Sequence, residues 1–437
     1  MNRLSFLRII YSTVITLLLP LLFLRLFIKG KKSPDYRKRW AERIGFFDCP
    51  ISVQNGIWFH CVSVGETLAV VPLIKQVRAQ YPHLPITVTT TTPTGSARVK
   101  DSFGQSVFHV YLPFDTPGAI KRFFKSVKPK LLVIVETELW PNLIYQAKKH
   151  QCKTLLANAR LSNRSGRRYK EKLTTLSQGM MDDISFVAAH HADDGERFKA
   201  LGLVESKLSI TGSIKFDVKV DENIKSQAQN LLSQISNNTP NKRPVWVVGS
   251  THLSEDEQVL TAFKQVLAVF PDTLLILVPR HPERFDQVAE LISQQGLSSI
   301  RRSDRQALKE NTQVLLGDTM GELMLFWACA DIAFVGGSLV QRGGHNPLEP
   351  AAFAVPVLSG PHVFNFTAIY EMLKSQDAVG FVDDSDSLAQ QVLNLLRQPQ
   401  AAKQQGENAA KVVAQNRGAE DKLLAIIDKL IQTNIDN

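Results

Sequence analysis

Several things are scarce in this 437-residue chain, and each scarcity excludes a class of protein. It has four cysteines, Cys49, Cys61, Cys152 and Cys329, with no C-x-x-C pair among them. A zinc ribbon and a disulfide framework are therefore not indicated, and isolated thiols suit a reducing compartment. No G-x-G-x-x-G follows a first apolar strand, which removes the usual signature of a nicotinamide-dependent oxidoreductase. Acid pairs of the metal-binding kind are equally sparse. The D-x-D of Asp384, Ser385 and Asp386 lies in a late polar stretch and reads as a helix cap. Excess positive charge is nearly missing from the body of the chain. The net charge is +10, but residues 1–44 carry ten Lys/Arg against two acids, so +8 of it belongs to the N-terminus. No basic stripe of the nucleic-acid-binding kind remains, and a nucleic-acid partner is not expected.

What is present begins with an uncharged apolar run, residues 9–24, extended by Leu26, Phe27 and Ile28 past Arg25. With Arg8 and Arg25 reaching for the interfaces, it approaches the roughly 20 residues that cross a bilayer. Pro20 is tolerable in such a helix. No small-x-small cleavage site follows. Instead a basic cluster at 29–39, Lys32 included, places the body on the cytoplasmic side and favours an anionic leaflet. Residues 1–30 are thus expected to form a membrane anchor.

From Ile57 onward, short apolar runs alternate with amphipathic stretches. Predicted strands are 57–63, 86–91, 107–112, 131–136, 154–158, 186–190 and 208–211. After a polar Asn/Gln/Ser-rich stretch at 221–244, the pattern restarts at 245–250, 273–279, 313–317, 332–337 and 355–360. Alternation of this kind predicts α/β architecture: two Rossmann-like domains, 31–218 and 219–437, with a cleft between them and ligands beyond the carboxyl ends of the strands.

The polar motifs do follow strands. SVGET places Glu66 in the first turn of a helix, as a general base or as a charge complementing the helix dipole. TTPTGS, at 91–96, binds an anion or caps a helix. ETELWPN sets Glu136 and Glu138 at the end of a buried strand, where acids are costly unless used, with Pro141 starting a helix. GSIKF presents Lys215. In the second half, STH (250–252) offers donors for a phosphate. VPRHPERF offers Pro279 and Arg280, with Arg284 on the surface, and GDTMGEL offers Met320, Gly321 and Glu322. The segment FVGGSLVQRGGHNPLEPAA (334–352) holds two glycine pairs and a helix start at Asn346 and Pro347. That start suits a phosphate, and Glu349 suits two ribose hydroxyls.

Taken in order, RKRWAERIGF, SVGET, TTPTGS, ETELWPN, NARLSNRS, TGSIKFD, STH, LVPRHPERF, GDTMGEL, FVGGSLV and RGGHNPLEP resemble the 3-deoxy-D-manno-octulosonic acid (Kdo) transferases of lipopolysaccharide assembly. The resemblance implies a GT-B fold and transfer of Kdo from CMP-Kdo to the lipid A precursor, lipid IVA, at the cytoplasmic side of the inner membrane. By the same resemblance Glu66 is the catalytic base, and Glu136 and Lys215 stabilise the transition state. CMP is held by Pro279, Arg280, Met320, Gly321, Glu322, Asn346, Pro347, Leu348 and Glu349. No metal or other cofactor is expected, because cationic groups are at hand for the leaving phosphate. Three positions depart from the family pattern: Cys61 where serine is common, Gln341 where an acid is common, and His190 where glutamine is frequent. The other readings are a UDP-sugar transferase or epimerase, a dehydrogenase, and a non-catalytic membrane scaffold. The missing dinucleotide motif argues against the dehydrogenase, and the intact acids and lysine argue against the scaffold.

Overall fold

The structure is a computed structural model and describes residues 3–31, 33–236 and 243–435. Lys32 and part of the 221–244 stretch lie outside the described residues. The chain forms two compact units, residues 1–215 with 417–437, and residues 216–416.

The first unit is built on a seven-stranded sheet. Its strands are β1 (Ile57–His60), β2 (Ile86–Thr90), β3 (Phe108–Tyr111), β4 (Leu131–Val135), β5 (Lys153–Ala159), β6 (Phe186–Ala189) and β7 (Leu208–Ile210). Every pairing is parallel, in the order β3-β2-β1-β4-β5-β6-β7. Alternate residues enter different cores. Trp58, Leu132 and Ile134 face one apolar cluster, whereas Ile57, Phe59, Leu131, Val133 and Val135 face the other. Both faces are buried under helices, which is why these strands read as unbroken apolar runs.

The second unit repeats the plan. Its strands are β8 (Val245–Thr251), β9 (Leu274–Pro279), β10 (Ser299–Arg301), β11 (Val314–Leu316), β12 (Ile332–Val335), β13 (Val357–Ser359) and β14 (Val379–Phe381). They lie in the order β10-β11-β9-β8-β12-β13-β14. β10 and β14 were absent from the sequence expectation. They are three-residue edge strands with partly exposed side chains, too short to print a period. In both sheets the strand order reverses beside the first strand, between β1 and β4 and between β8 and β12. Ligands of open parallel sheets bind at such reversals.

Two expected boundaries are corrected. The final helix, Ala419–Ile435, does not belong with the second half. Ala419, Leu423, Ile427, Leu430 and Ile431 enter a core of the first unit. Asp428 accepts from Tyr81 (2.8 Å) and Gln80 (2.9 Å). The second correction concerns the N-terminus. Residues 1–30 are not set apart from the first unit. They form α1 (Arg3–Leu17) and α2 (Leu19–Lys29), bent by 43° at a break where Pro20 opens the second helix. Among the described residues no single helix is long and apolar enough to cross a membrane, although the bent pair passes that test together. α1 packs on the body. Ser12 donates to Asn142 (2.9 Å), and the Arg8 guanidinium lies 3.2 Å from the Tyr145 ring centroid. In α2, Phe23 meets Trp40 and Phe114. The outer side remains apolar, with Phe6, Ile9, Ile10, Val14, Leu17, Leu21, Leu24, Phe27 and Ile28 all exposed.

The basic cluster also divides. Lys29, Lys31 and Lys38 are exposed, but Arg39 is turned inward. Its guanidinium grips Glu42 (2.6 and 2.9 Å) and donates to Ser96 (2.9 Å) and to the His109 carbonyl (3.2 Å). Arg43 lies buried, 3.8 Å from the Tyr111 ring centroid, and donates to the Thr91 carbonyl. Much of RKRWAERIGF therefore secures the β3 edge.

Candidate active site

In the first unit the acids gather at the β1/β4 reversal. Ser63 caps the helix Val64–Gln80, and Glu66 sits in its first turn. The Glu66 amide donates to Ser63 Oγ (3.2 Å), and the Ser63 hydroxyl donates to Glu66 Oε1 (2.8 Å). The Val62 amide donates to Oε2 (2.7 Å). The capping role considered from sequence is thus real, but it does not exhaust the group. A carboxylate has about four acceptor positions, and these bonds occupy two. Glu66 is 8 % exposed, and burial raises its pKa above the usual carboxylate range.

Beside it, β4 is followed by Glu136, whose backbone is left-handed (φ 61°). A non-glycine residue in that region costs about 1–3 kcal/mol and is held by its surroundings. Here the Glu136 amide donates to the Ala157 carbonyl on β5, and Oε1 faces Lys215 Nζ at 3.8 Å. The structure therefore brings Glu136 and Lys215 together. Glu138, a member of the same motif not assigned a catalytic part, accepts from the Trp140 indole (2.8 Å). Its pKa is pushed up to about 7, first by burial and then by the charge of Glu66, with a smaller contribution from Glu136.

Two of the three departures from the family pattern, Cys61 and His190, sit close by. Cys61 is fully buried; burial, followed by the charges of Glu66 and Glu136, keeps it a neutral thiol. The His190 imidazole is pushed down to about 3, by burial and then by His191, Arg160 and Lys215, so it is neutral. In TTPTGS, Thr92 caps the helix Pro93–Phe103 through the Gly95 amide (3.1 Å), which is the plainer of its two expected uses.

In the second unit the β8/β12 reversal carries the loop after β8 and the glycine-rich segment after β12. Ser250 has a left-handed backbone (φ 61°), and Gly336 passes so near that a Cβ there would meet the Ser250 carbonyl at 2.7 Å. The following loop turns through Gly343 and Gly344, at φ 91° and 69°, where glycine is the unstrained choice. His252 and His345 stack, with their Nε2 atoms 2.9 Å apart. His345 is driven down to about 3 and His252 to about 4, in each case mainly by burial; Arg280 also acts on both. The Arg280 amide anchors to the Thr251 carbonyl at 3.0 Å, and its side chain is partly exposed. Its charge also reaches Glu349, whose pKa is raised chiefly by burial.

Two expectations change here. The helix at 346–349 is short, Leu348–Ala351, with Pro347 at its boundary. Four residues sum little dipole, so the phosphate-binding case for this end rests on side chains and loop amides rather than on a helix field. Asn346, expected as the cap, stands one residue before that boundary, accepting from the Leu348 amide (3.1 Å) and donating to Glu349 at 3.4 Å. Arg284 is not on the surface: it pairs with buried Asp256 and donates to the Thr251 carbonyl (3.0 Å). Glu322 pairs with Arg302 (2.8 Å), which lowers its pKa, while Met320 is exposed and Gly321 turns at φ 86°. The late D-x-D is a cap, as read: Asp384 and Ser387 form a capping box. Sequence reasoning missed Glu255. Its carboxylate accepts from the amides of Gly337 (2.7 Å), Ser338 (3.0 Å), Leu339 (3.0 Å) and His252 (3.1 Å), fixing the glycine-rich loop. An acid just after STH was the only local sign of it.

Two parallel seven-stranded sheets, each with polar loops at a strand-order reversal, form a GT-B-like α/β architecture. The glycosyltransferase from Rickettsia africae has this fold, with a TM-score of 0.51 at 14% identity over 86% of this chain and 99% of that one. The family model for 3-deoxy-D-manno-octulosonic-acid transferase (kdotransferase) matches residues 38–218. The 3-deoxy-D-manno-octulosonic acid transferase of Haemophilus influenzae is 45% identical over 98% of this chain and 100% of its own length. The C-terminal CMP-Kdo binding domain of WaaA from Acinetobacter baumannii is 38% identical, covering 44% of this chain and 99% of that domain at a TM-score of 0.42. The chain belongs to the Kdo transferase family.

Proposed function

We propose that this Kdo transferase moves Kdo from CMP-Kdo to a hydroxyl of the lipid A precursor, lipid IVA, with inversion at the anomeric carbon. The observation that carries the reading is Glu66, a buried carboxylate with both oxygens anchored and acceptor capacity left over. In this mechanism Glu66 takes the proton of the acceptor hydroxyl as that oxygen bonds to the anomeric carbon of Kdo. The bond from that carbon to the CMP phosphate oxygen breaks, and its electron pair leaves with CMP. Glu136 and Lys215, facing each other at 3.8 Å, stabilise the oxocarbenium-like transition state. Arg280 neutralises the charge growing on CMP, and Glu349 accepts from the ribose hydroxyls. Pro279, Met320, Gly321, Glu322, Asn346, Pro347 and Leu348 shape the remainder of the nucleotide site. No metal takes part.

On this reading the first unit binds the acceptor and the second binds the donor. The N-terminal helices hold the enzyme at the cytoplasmic face of the inner membrane, their exposed apolar side in lipid and the lysines at 29, 31 and 38 near anionic headgroups. The test is incubation with CMP-Kdo and tetra-acylated lipid A precursor, with products read by mass. Addition of Kdo with release of CMP is expected. Absence of product, or transfer from UDP-sugars instead, would refute the assignment.

A further inference from the structure

A groove of about 750 Å³ runs between α1 and the loop that follows β4. Leu7, Ile10 and Val14 form its α1 wall, and Trp140, Leu176 and Met180 face them. Such a volume falls in the range of about 300–1,000 Å³ found for small-molecule sites. Three observations identify its occupant. The lining includes Thr137 and Glu138, the residues that directly follow Glu136, so the groove reaches the loop that carries this acid. Ile10 and Val14 belong at the same time to the exposed apolar side of the N-terminal helices, so the groove is continuous with a surface suited to lipid. The helix Asn163–Lys172, which supplies Tyr169, Glu171 and Lys172 to the lining, also exposes Arg164, Arg167, Arg168 and Lys170; its one acid is Glu171. Apolar walls, a strongly cationic flank and an acid terminus together fit an anionic, acylated sugar.

We infer that this groove receives one fatty-acyl chain of the glycolipid acceptor, with the phosphorylated sugar head lying against the basic helix and its reactive hydroxyl toward Glu66. The inference rests on the acceptor reading above and adds a chain-binding subsite to it. α1 is then a wall of the acceptor site as well as a membrane contact.

Two measurements test it on the full chain. In the first, Val14→Trp and Leu173→Trp fill the groove from two sides, at positions exposed enough to spare the fold. With tetra-acylated acceptor, kcat/KM should fall tenfold or more. With the fully deacylated bisphosphorylated disaccharide it should stay within a factor of two, and CMP affinity should not change. Equal losses on both acceptors, or no loss on the acylated one, would overturn the proposal. The second needs no transfer. An anionic glycolipid with brominated acyl chains, dispersed in detergent, should quench the part of the fluorescence that Trp140→Phe removes. A zwitterionic phospholipid with the same chains should not. Absence of Trp140-dependent quenching overturns the groove whatever the transfer assay gives, and equal quenching by the phospholipid assigns the groove to bulk lipid. A wild-type enzyme that is quenched yet glycosylates neither acceptor refutes the transferase reading alone.

Discussion

Replacing Glu138 by glutamine should stabilise the protein, and the gain should depend on pH in a defined direction. In the folded chain this carboxyl titrates near 7 instead of 4.5, because burial and the neighbouring charge of Glu66 oppose its ionised form. The fold therefore holds a proton that the unfolded chain gives up between pH 4.5 and 7, and stability falls as pH rises through that window. The full shift corresponds to a ceiling of about 3 kcal/mol. Partial exposure and solvent screening reduce the realised amount to about 1–2 kcal/mol. Glutamine keeps an oxygen for the Trp140 indole and removes the charge. Urea unfolding of wild type and Glu138→Gln at pH 8 should show the variant more stable by that amount in the transition of the first unit, with an unchanged denaturant slope. At pH 4.5 most of the difference should be gone. A gain of the same size at both pH values would mean that packing, not ionisation, is responsible. A loss at pH 8 would mean that the site stabilises the Glu138 anion, contrary to the electrostatics described.

Glu66→Gln should lower kcat by roughly 10²–10⁴-fold while CMP affinity stays within a factor of two, since the general base is lost and the nucleotide unit is untouched; activity within twofold of wild type would sink the assignment. Glu349→Ala should weaken CMP binding by about 1.5–3 kcal/mol, measured calorimetrically, through loss of charged hydrogen bonds to the ribose. Transfer should persist in excess chelator, and a loss restored by magnesium would count against Arg280 as the neutralising group. Deleting residues 1–28 should reduce activity on vesicle-borne and detergent-dispersed acceptor alike, because the cut removes packing against Asn142 and Tyr145 along with the membrane contact; a loss confined to vesicles would mean that the segment is only a tether.

The sheets were legible because buried parallel strands are apolar on both faces, and each predicted run overlaps a strand of one of the two sheets. The edge strands β10 and β14 were not, since three residues carry no period. The final helix was assigned to the second domain by its place in the chain, but chain order does not name the sheet a helix will cover, and Ala419 to Ile431 cover the first. Site acids could be read in the polar segments that follow strands, at Glu66 and Glu136. Their partners could not. The pairings of Arg284 with Asp256 and of Arg302 with Glu322 join residues 28 and 20 positions apart, and nothing local marks an arginine for burial. The same limit misplaced Arg39, whose charge looked like part of a headgroup-binding cluster and instead closes on Glu42 and Ser96.

Glu66 and Glu255 show why position alone does not decide function. Each is an acid that follows the first strand of its sheet, at the reversal of strand order, and each is deeply buried and raised in pKa mainly by burial. They differ in what the surrounding chain asks of them. Four backbone amides, from residues 252 and 337–339, donate to Glu255, and four is about the capacity of a carboxylate. It has no capacity left for a substrate, and removing it would release the glycine-rich loop. Glu66 satisfies two donors, both within four residues of itself, and both are met by the anchoring that a helix start requires. The remaining lone pairs are available for a hydroxyl proton. One topology thus places an acid at the mouth of each sheet, and the demand made by neighbouring amides determines which becomes scaffold and which can act as a base.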